Sequence, residues 1–98
     1  MYKSIILPLA KKDIREAALW YEERQTGLGK RFTAEVREKA HFIRQNPKAS
    51  NIRYDSVRTS VLNMFPFMVH YTIEEKNKTI IVAAVLHTSR NPELWKNR

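Results

Sequence analysis

From Lys11 to about Gln25 the apolar positions return at helical spacing. Ile14, Ala17, Ala18 and Tyr21 stand at i, i+3, i+4 and i+7, which makes one apolar stripe. Thr26-Gly27 stops this helix, and Gly27 suits a left-handed cap. A second helix is predicted from about Leu28 to Gln45. Leu28, Phe32, Val36, Ala40 and Ile43 form its inner face, and Glu35 and Lys39 make a favourable i,i+4 pair outside. Asn46-Pro47 ends it, because proline disfavours a helical conformation at the residue before it. So short a link predicts an antiparallel hairpin.

Residues 2–7 read as a short strand closed by Pro8. Beyond the hairpin the period changes to two. A weak strand is expected around Ile52 to Tyr54 and another from Arg58 to Asn63. From Phe67 to Glu74 the alternation is clear: Phe67, Val69, Tyr71 and Ile73 face one way, and Met68, His70 and Thr72 the other. Glu75 to Lys78 is a turn. Thr79 to Leu86 is apolar on both faces, as an interior strand would be. Arg90 to Arg98 reads as a tail with one helical turn after Pro92 and Trp95 as an anchor. The prediction is a single α+β domain over residues 1–98. An N-terminal strand precedes an antiparallel two-helix hairpin packed on one face of a three- to four-stranded antiparallel sheet.

At 98 residues and 43% hydrophobic, the chain can build one modest core unaided. The absence of cysteine excludes a disulfide scaffold, a thiolate metal site and a cysteine nucleophile. The longest apolar run, Ile80 to Leu86, is too short to span a bilayer, and the N-terminus lacks a signal-peptide pattern. A cytoplasmic protein with no membrane partner is expected. The histidines at 41, 70 and 87 lack metal-ligand spacing, and no Gly-rich phosphate loop or G-x-S-x-G motif is present. No metal and no cofactor are expected. The net charge of +8 is spread along the chain. It favours an anionic partner: nucleic acid, the ribosome or an acidic protein. A basic surface without such a partner is the plain alternative.

The order of motifs resembles the RelE/ParE superfamily of toxins from type II toxin–antitoxin modules, and more closely its ParE-like branch. The resemblance is carried by Ala10-x-x-Asp13-x-x-Glu16-Ala17-x-x-Trp20-Tyr21, then Leu28-Gly29-x-x-Phe32, Asn46-Pro47 and Val57-Arg58. It continues through Phe65-Pro66-Phe67-x-Val69-x-Tyr71-x-Ile73 and Ala84-Val85-x-His87-x-x-Arg90-x-Pro92-x-x-Trp95. It implies a growth-inhibiting toxin neutralised by a small, usually acidic antitoxin. ParE-like members poison DNA gyrase, whereas RelE-like members cleave mRNA on the ribosome; a non-toxic binding module is a third reading.

Metal-independent RNA cleavage needs a general base, a proton donor and cations around the phosphate. Arg58, His87 and Arg90 are the residues for that reading, with His70 and Tyr71 as further candidates. Arg90 falls where the superfamily's nucleases carry a phosphate-binding arginine. Against this, the position that is basic late in the preceding strand of those nucleases is Asn63 here. No catalytic residue is therefore assigned. Trp20, Arg58, His87, Arg90 and Trp95 are the candidate partner-binding residues. Each has a structural alternative: His87 a strand-end histidine bonded to backbone, His70 and His41 surface, Tyr71 core with its hydroxyl at the edge, Arg58 and Arg90 carboxylate holders, Trp20 a seat for the hairpin. A groove between the hairpin and the sheet, rimmed by apolar and basic side chains, is expected to take an amphipathic acidic segment.

Overall fold

The computed structural model describes residues 1–90. Pro8 opens a helix where the sequence suggested the end of a strand. Strand β1 (Lys3–Ile6) leads directly into α1 (Pro8–Arg24), so the helix begins before Lys11. The proline ring fixes a helical φ, and its missing N–H is one that no helical carbonyl could receive. Helix α2 spans Leu28–Gln45, followed by β2 (Ile52–Tyr54), β3 (Val57–Val61), β4 (Phe67–Glu74) and β5 (Thr79–His87).

The strands form one five-stranded sheet in the order β1-β5-β4-β3-β2. β2 to β5 make an antiparallel meander, but β1 pairs with β5 in parallel, Lys3 opposite Thr79 through Ile6 opposite Val82. The sheet is thus larger than the three to four strands expected and not wholly antiparallel. The chain leaves β1 through both helices and returns in β5 running in the same direction. β5 lies inside the sheet, in keeping with its two apolar faces.

The hairpin covers one face. Tyr21, Phe32, Phe65 and Phe67 interlock with ring centroids 4.8–6.1 Å apart, mostly edge to face. Phe32, Ile43, Val69, Tyr71 and Val82 lie fully inside this core. Each such side chain contributes about 1.5–3 kcal/mol of burial. On α2, Leu28 and Ala40 are only half-buried, so the inner stripe is narrower than its pattern.

Two carboxylates tie the helices to each other and to the sheet. Glu22 of α1 accepts the Gly27 N–H at 2.8 Å and the Gly29 N–H at 3.0 Å. It satisfies donors that the start of α2 leaves open, and those bonds hold its pKa below the usual value. Gly27 takes a left-handed φ of 89°. Gly29 permits the close helix crossing, since a Cβ there would sit 2.5 Å from the Ala18 carbonyl oxygen. Glu35 was expected to pair outward with Lys39. Its carboxylate instead accepts the N–H groups of Asn63 and Met64 at 2.9 Å, pinning the β3–β4 turn to α2.

One irregularity matters for function. His70 pairs with Ala84 but Tyr71 with Val82, so Ala83 is an extra residue in β5. Before it, Ile80 and Val82 face the helices; after it Val85 does, and Ala84 and Leu86 turn to the far face. There they pack with Met68 and half-buried Tyr54. His70 belongs to this second layer and is fully buried, with the Tyr54 hydroxyl 3.0 Å from its Nδ1. The surface position expected for His70 is thereby corrected: a far-face side chain was assumed to meet water, but β2 folds Tyr54 over it. His41 is exposed as expected.

Candidate functional site

α1 has two flanks, and each borders a cavity. The first cavity, about 370 Å³, lies between α1 and the end of β5. Asp13, Glu16 and Trp20 line it from the helix, at i, i+3 and i+7. Tyr21 and Phe67 form aromatic wall, and His87 and Arg90 close the far side. The space exists because β1 pairs with β5 only as far as Val82. Past that point the Val85 N–H donates to Asp13 Oδ2 at 3.0 Å, so a side chain takes the place of a neighbouring strand.

The Ala83 bulge places His87 here. In an unbroken alternation from Ile80 and Val82, residue 87 would point to the far face. With the extra residue it shares the helix side with Val85 and lies opposite Phe67, ring centroids 5.2 Å apart. Its Nδ1 accepts the Ser89 N–H at 3.1 Å, with Ser89 Oγ at 2.8 Å. The neutral ring therefore carries its proton on Nε2. The Arg90 N–H donates to the His87 carbonyl at 3.0 Å, forming the tight turn that brings Arg90 back to the cavity.

Trp20 is half exposed. Its ring stands edge-on to Tyr21 at 5.1 Å, and the Arg24 guanidinium lies 3.5 Å over its centroid. Arg24 Nη1 also donates to the Trp20 carbonyl at 2.9 Å. An exposed tryptophan held on two sides has little side-chain freedom left to lose when something docks on it.

Trp20, His87 and Arg90 thus come together, while Arg58 lies elsewhere. Arg58 pairs with Tyr71 in β3–β4, whereas His87 pairs with Phe67. That register separates them by about 13 Å along the strands and about 10 Å across them. Arg58 Nη1 donates to the Ser50 carbonyl at 2.6 Å. The Tyr71 hydroxyl donates to the Pro47 carbonyl at 2.9 Å, and burial pushes its pKa up, opposed by Ser50 and Arg58. Both side chains brace the loop between α2 and β2. Trp95 and the helical turn expected after Pro92 lie outside the described residues. Asp13 and Glu16 were not singled out as wall residues, although their spacing with Trp20 marks a second helical stripe.

The second cavity, about 770 Å³, runs along the outer face between the two helices. Lys11 and Arg15 border it from α1, and Lys30 and Arg37 from α2.

Chemically, the first cavity offers aromatic surface, two carboxylates, an imidazole and a guanidinium. The far face of the sheet presents Met68, His70, Ala84 and Leu86 around Tyr54, with no lysine or arginine among them. Among the described residues no group of three His, Cys, Asp or Glu side chains is placed to hold a metal ion. No helix is long and apolar enough to cross a membrane.

The family model described as the ParE toxin of the type II toxin–antitoxin system parDE matches residues 5–92. Among solved structures, the chain is similar to one of a chromosomal ParDE system from P. aeruginosa. The TM-score is 0.77 at 18% identity, covering 91% of this chain and 98% of that one. It is also similar to a chain of the intact E. coli RelBE toxin–antitoxin complex, with a TM-score of 0.65 at 16% identity, covering 92% and 100%. A RelBE toxin–antitoxin complex from Mycobacterium tuberculosis gives 0.62 at 12%, covering 88% and 96%. At these identities the likeness is one of fold. No curated protein matches the sequence.

Proposed function

The chain belongs to the ParE toxin family of type II toxin–antitoxin systems, and from that membership we propose that it arrests growth by binding DNA gyrase. It performs no chemistry of its own and is neutralised by a cognate acidic antitoxin. Gyrase works on DNA in the cytoplasm, so the toxin acts there. The cavity beside Trp20 is the docking site for the target, with Trp20 as the central anchor and His87 and Arg90 on its rim. Trp95 is proposed as a further partner-binding residue.

The observation that carries this reading is the clamped, half-exposed Trp20 over an aromatic cavity. Tryptophan and arginine dominate the energetics of protein interfaces. The separation of the nuclease candidates supports it too: Arg58 is committed to the Ser50 carbonyl, away from His87 and Arg90. Purified protein added to gyrase, ATP and relaxed plasmid is expected to suppress supercoiling in proportion to its concentration. Gyrase left unaffected at excess toxin refutes the proposal.

One observation favours a second reading. His87 and Arg90 do share the cavity, as an imidazole and a phosphate-binding cation would in ribosome-dependent mRNA cleavage. Primer extension after induction tests it. New 3′ ends within codons would establish the nuclease, and their absence would exclude it.

A further inference from the structure

We propose that Arg24 is a positioning residue: its guanidinium holds the Trp20 indole in the orientation in which the ring docks. That the held ring docks on gyrase rests on the target proposed above; that Arg24 holds it does not.

Trp20 and Arg24 stand one turn apart at the end of α1. The guanidinium carbon of Arg24 lies 3.5 Å from the indole centroid, and Nη1 donates to the Trp20 carbonyl at 2.9 Å. One planar group thus grips the ring and the backbone of the same residue. The hydrogen bond fixes its place along the helix, and the stack fixes the ring beneath it. Arginine can do both at once because it joins a flat face to a rigid fork of donors. Lysine is a compact charge on a flexible stem and cannot.

Arg24 is exposed and, among the described residues, forms no ion pair, so its guanidinium is committed to Trp20. It does not line the cavity that Trp20, His87 and Arg90 share. Its effect on docking therefore passes through the ring.

The indole's other support is of a different kind. Tyr21 meets it edge-on at 5.1 Å, and Tyr21 is itself locked against Phe32, Phe65 and Phe67. That contact belongs to the core and cannot be removed without disturbing it. The Arg24 contact belongs to the surface alone. With Tyr21 as its only support, a half-exposed tryptophan can move between rotamers, and binding must then order it. With both supports the ring meets its partner already ordered. Ordering one such side chain is worth about 3- to 10-fold in affinity. That is less than the loss expected when the ring itself is removed, which is how a residue that orients differs from one that touches.

The test uses the purified full chain and two readouts: the order of the Trp20 indole N–H by ¹⁵N relaxation, assigned against Trp20→Phe, and inhibition of gyrase supercoiling. The parent indole is expected to be as rigid as ordered backbone, with an order parameter of about 0.85, and to fall below about 0.6 in Arg24→Ala. Arg24→Ala is also expected to raise the concentration giving half inhibition by about 3- to 10-fold. Its melting temperature should hardly move, because Arg24 is exposed. Arg24→Lys keeps the charge and is expected to resemble Arg24→Ala in both readouts. Full recovery by Arg24→Lys would overturn the proposal, since charge alone would then suffice. An indole already loose in the parent, or still ordered in Arg24→Ala, would overturn it too. The two readings fail separately. A parent chain that leaves gyrase untouched refutes the target, and the indole order still decides whether Arg24 holds the ring. An Arg24→Ala chain that inhibits gyrase as well as the parent keeps the target and refutes the positioning role.

Discussion

The two flanks of α1 differ in kind. One faces the end of β5 and presents rings, with carboxylates and cations mixed around them. The other faces α2 and presents four cations and the Glu22 carboxylate around an aliphatic floor. Adjacent residues divide the work: Leu19 points to one groove and Trp20 to the other. The lesson is that an overall charge of +8 says little until it is placed. The groove expected to be basic, between hairpin and sheet, is the mixed one, and four cations border the outer groove between the helices.

A change beneath both flanks should break both together. Phe32 is fully buried and touches the rings of Tyr21, Phe65 and Phe67. Phe32→Ala is expected to cost about 3–5 kcal/mol, a large share of a small domain's stability, read by denaturant melting. Loss of one groove alone would contradict the shared core.

Trp20→Ala should separate the flanks. It is expected to weaken target docking by about 30-fold or more, as interface hot spots do. Because Trp20 is half exposed, the melting temperature should move little. Amide shifts along the outer groove should be unchanged.

Gly29→Ala sharpens the comparison from the other side. Its Cβ would meet the Ala18 carbonyl oxygen at 2.5 Å, so the helices must part. Overpacking of this kind costs about 1–3 kcal/mol. The outer groove should change shape, while the Trp20 side keeps its function once the protein is held below its lowered melting temperature.

The smallest effect is a pH dependence. Glu22 has a depressed pKa in the folded chain because two backbone N–H groups bind its carboxylate. Its stabilisation is full above its ordinary value of 4.5 and is lost as pH falls through the lower folded value. Glu22→Gln should lower the melting temperature at pH 7, and the gap to the parent should close in acid. A gap independent of pH would show that the carboxylate charge is not what caps α2.

Elements set by local periodicity were legible. The bounds of α2 and β4, the hairpin and the interior place of β5 follow from apolar spacing. What was not legible depends on partners distant in sequence. The extra Ala83 has no mark of its own, because an alanine between Val82 and Ala84 continues an apolar run; only the register against β4 makes it a bulge. His70 reads as surface until Tyr54, far along the chain, covers it. Glu35 looks like half of a helical ion pair until the N–H groups of the β3–β4 turn arrive. Trp20 could be read as an exposed anchor because it falls off the inner stripe of α1. Its companion Glu16 carried the same signal, its helical spacing to Trp20, but the separation of Arg58 did not, since that depends on the register of β3, β4 and β5.

The central claim is that toxicity comes from docking on the Trp20 flank and not from catalysis or from the cationic groove. Gyrase supercoiling measured with three purified proteins tests it most directly: the parent, Trp20→Ala and R15E/R37E. The account predicts inhibition by the parent and by R15E/R37E, and its loss in Trp20→Ala. Inhibition that survives Trp20→Ala but vanishes with R15E/R37E would contradict it.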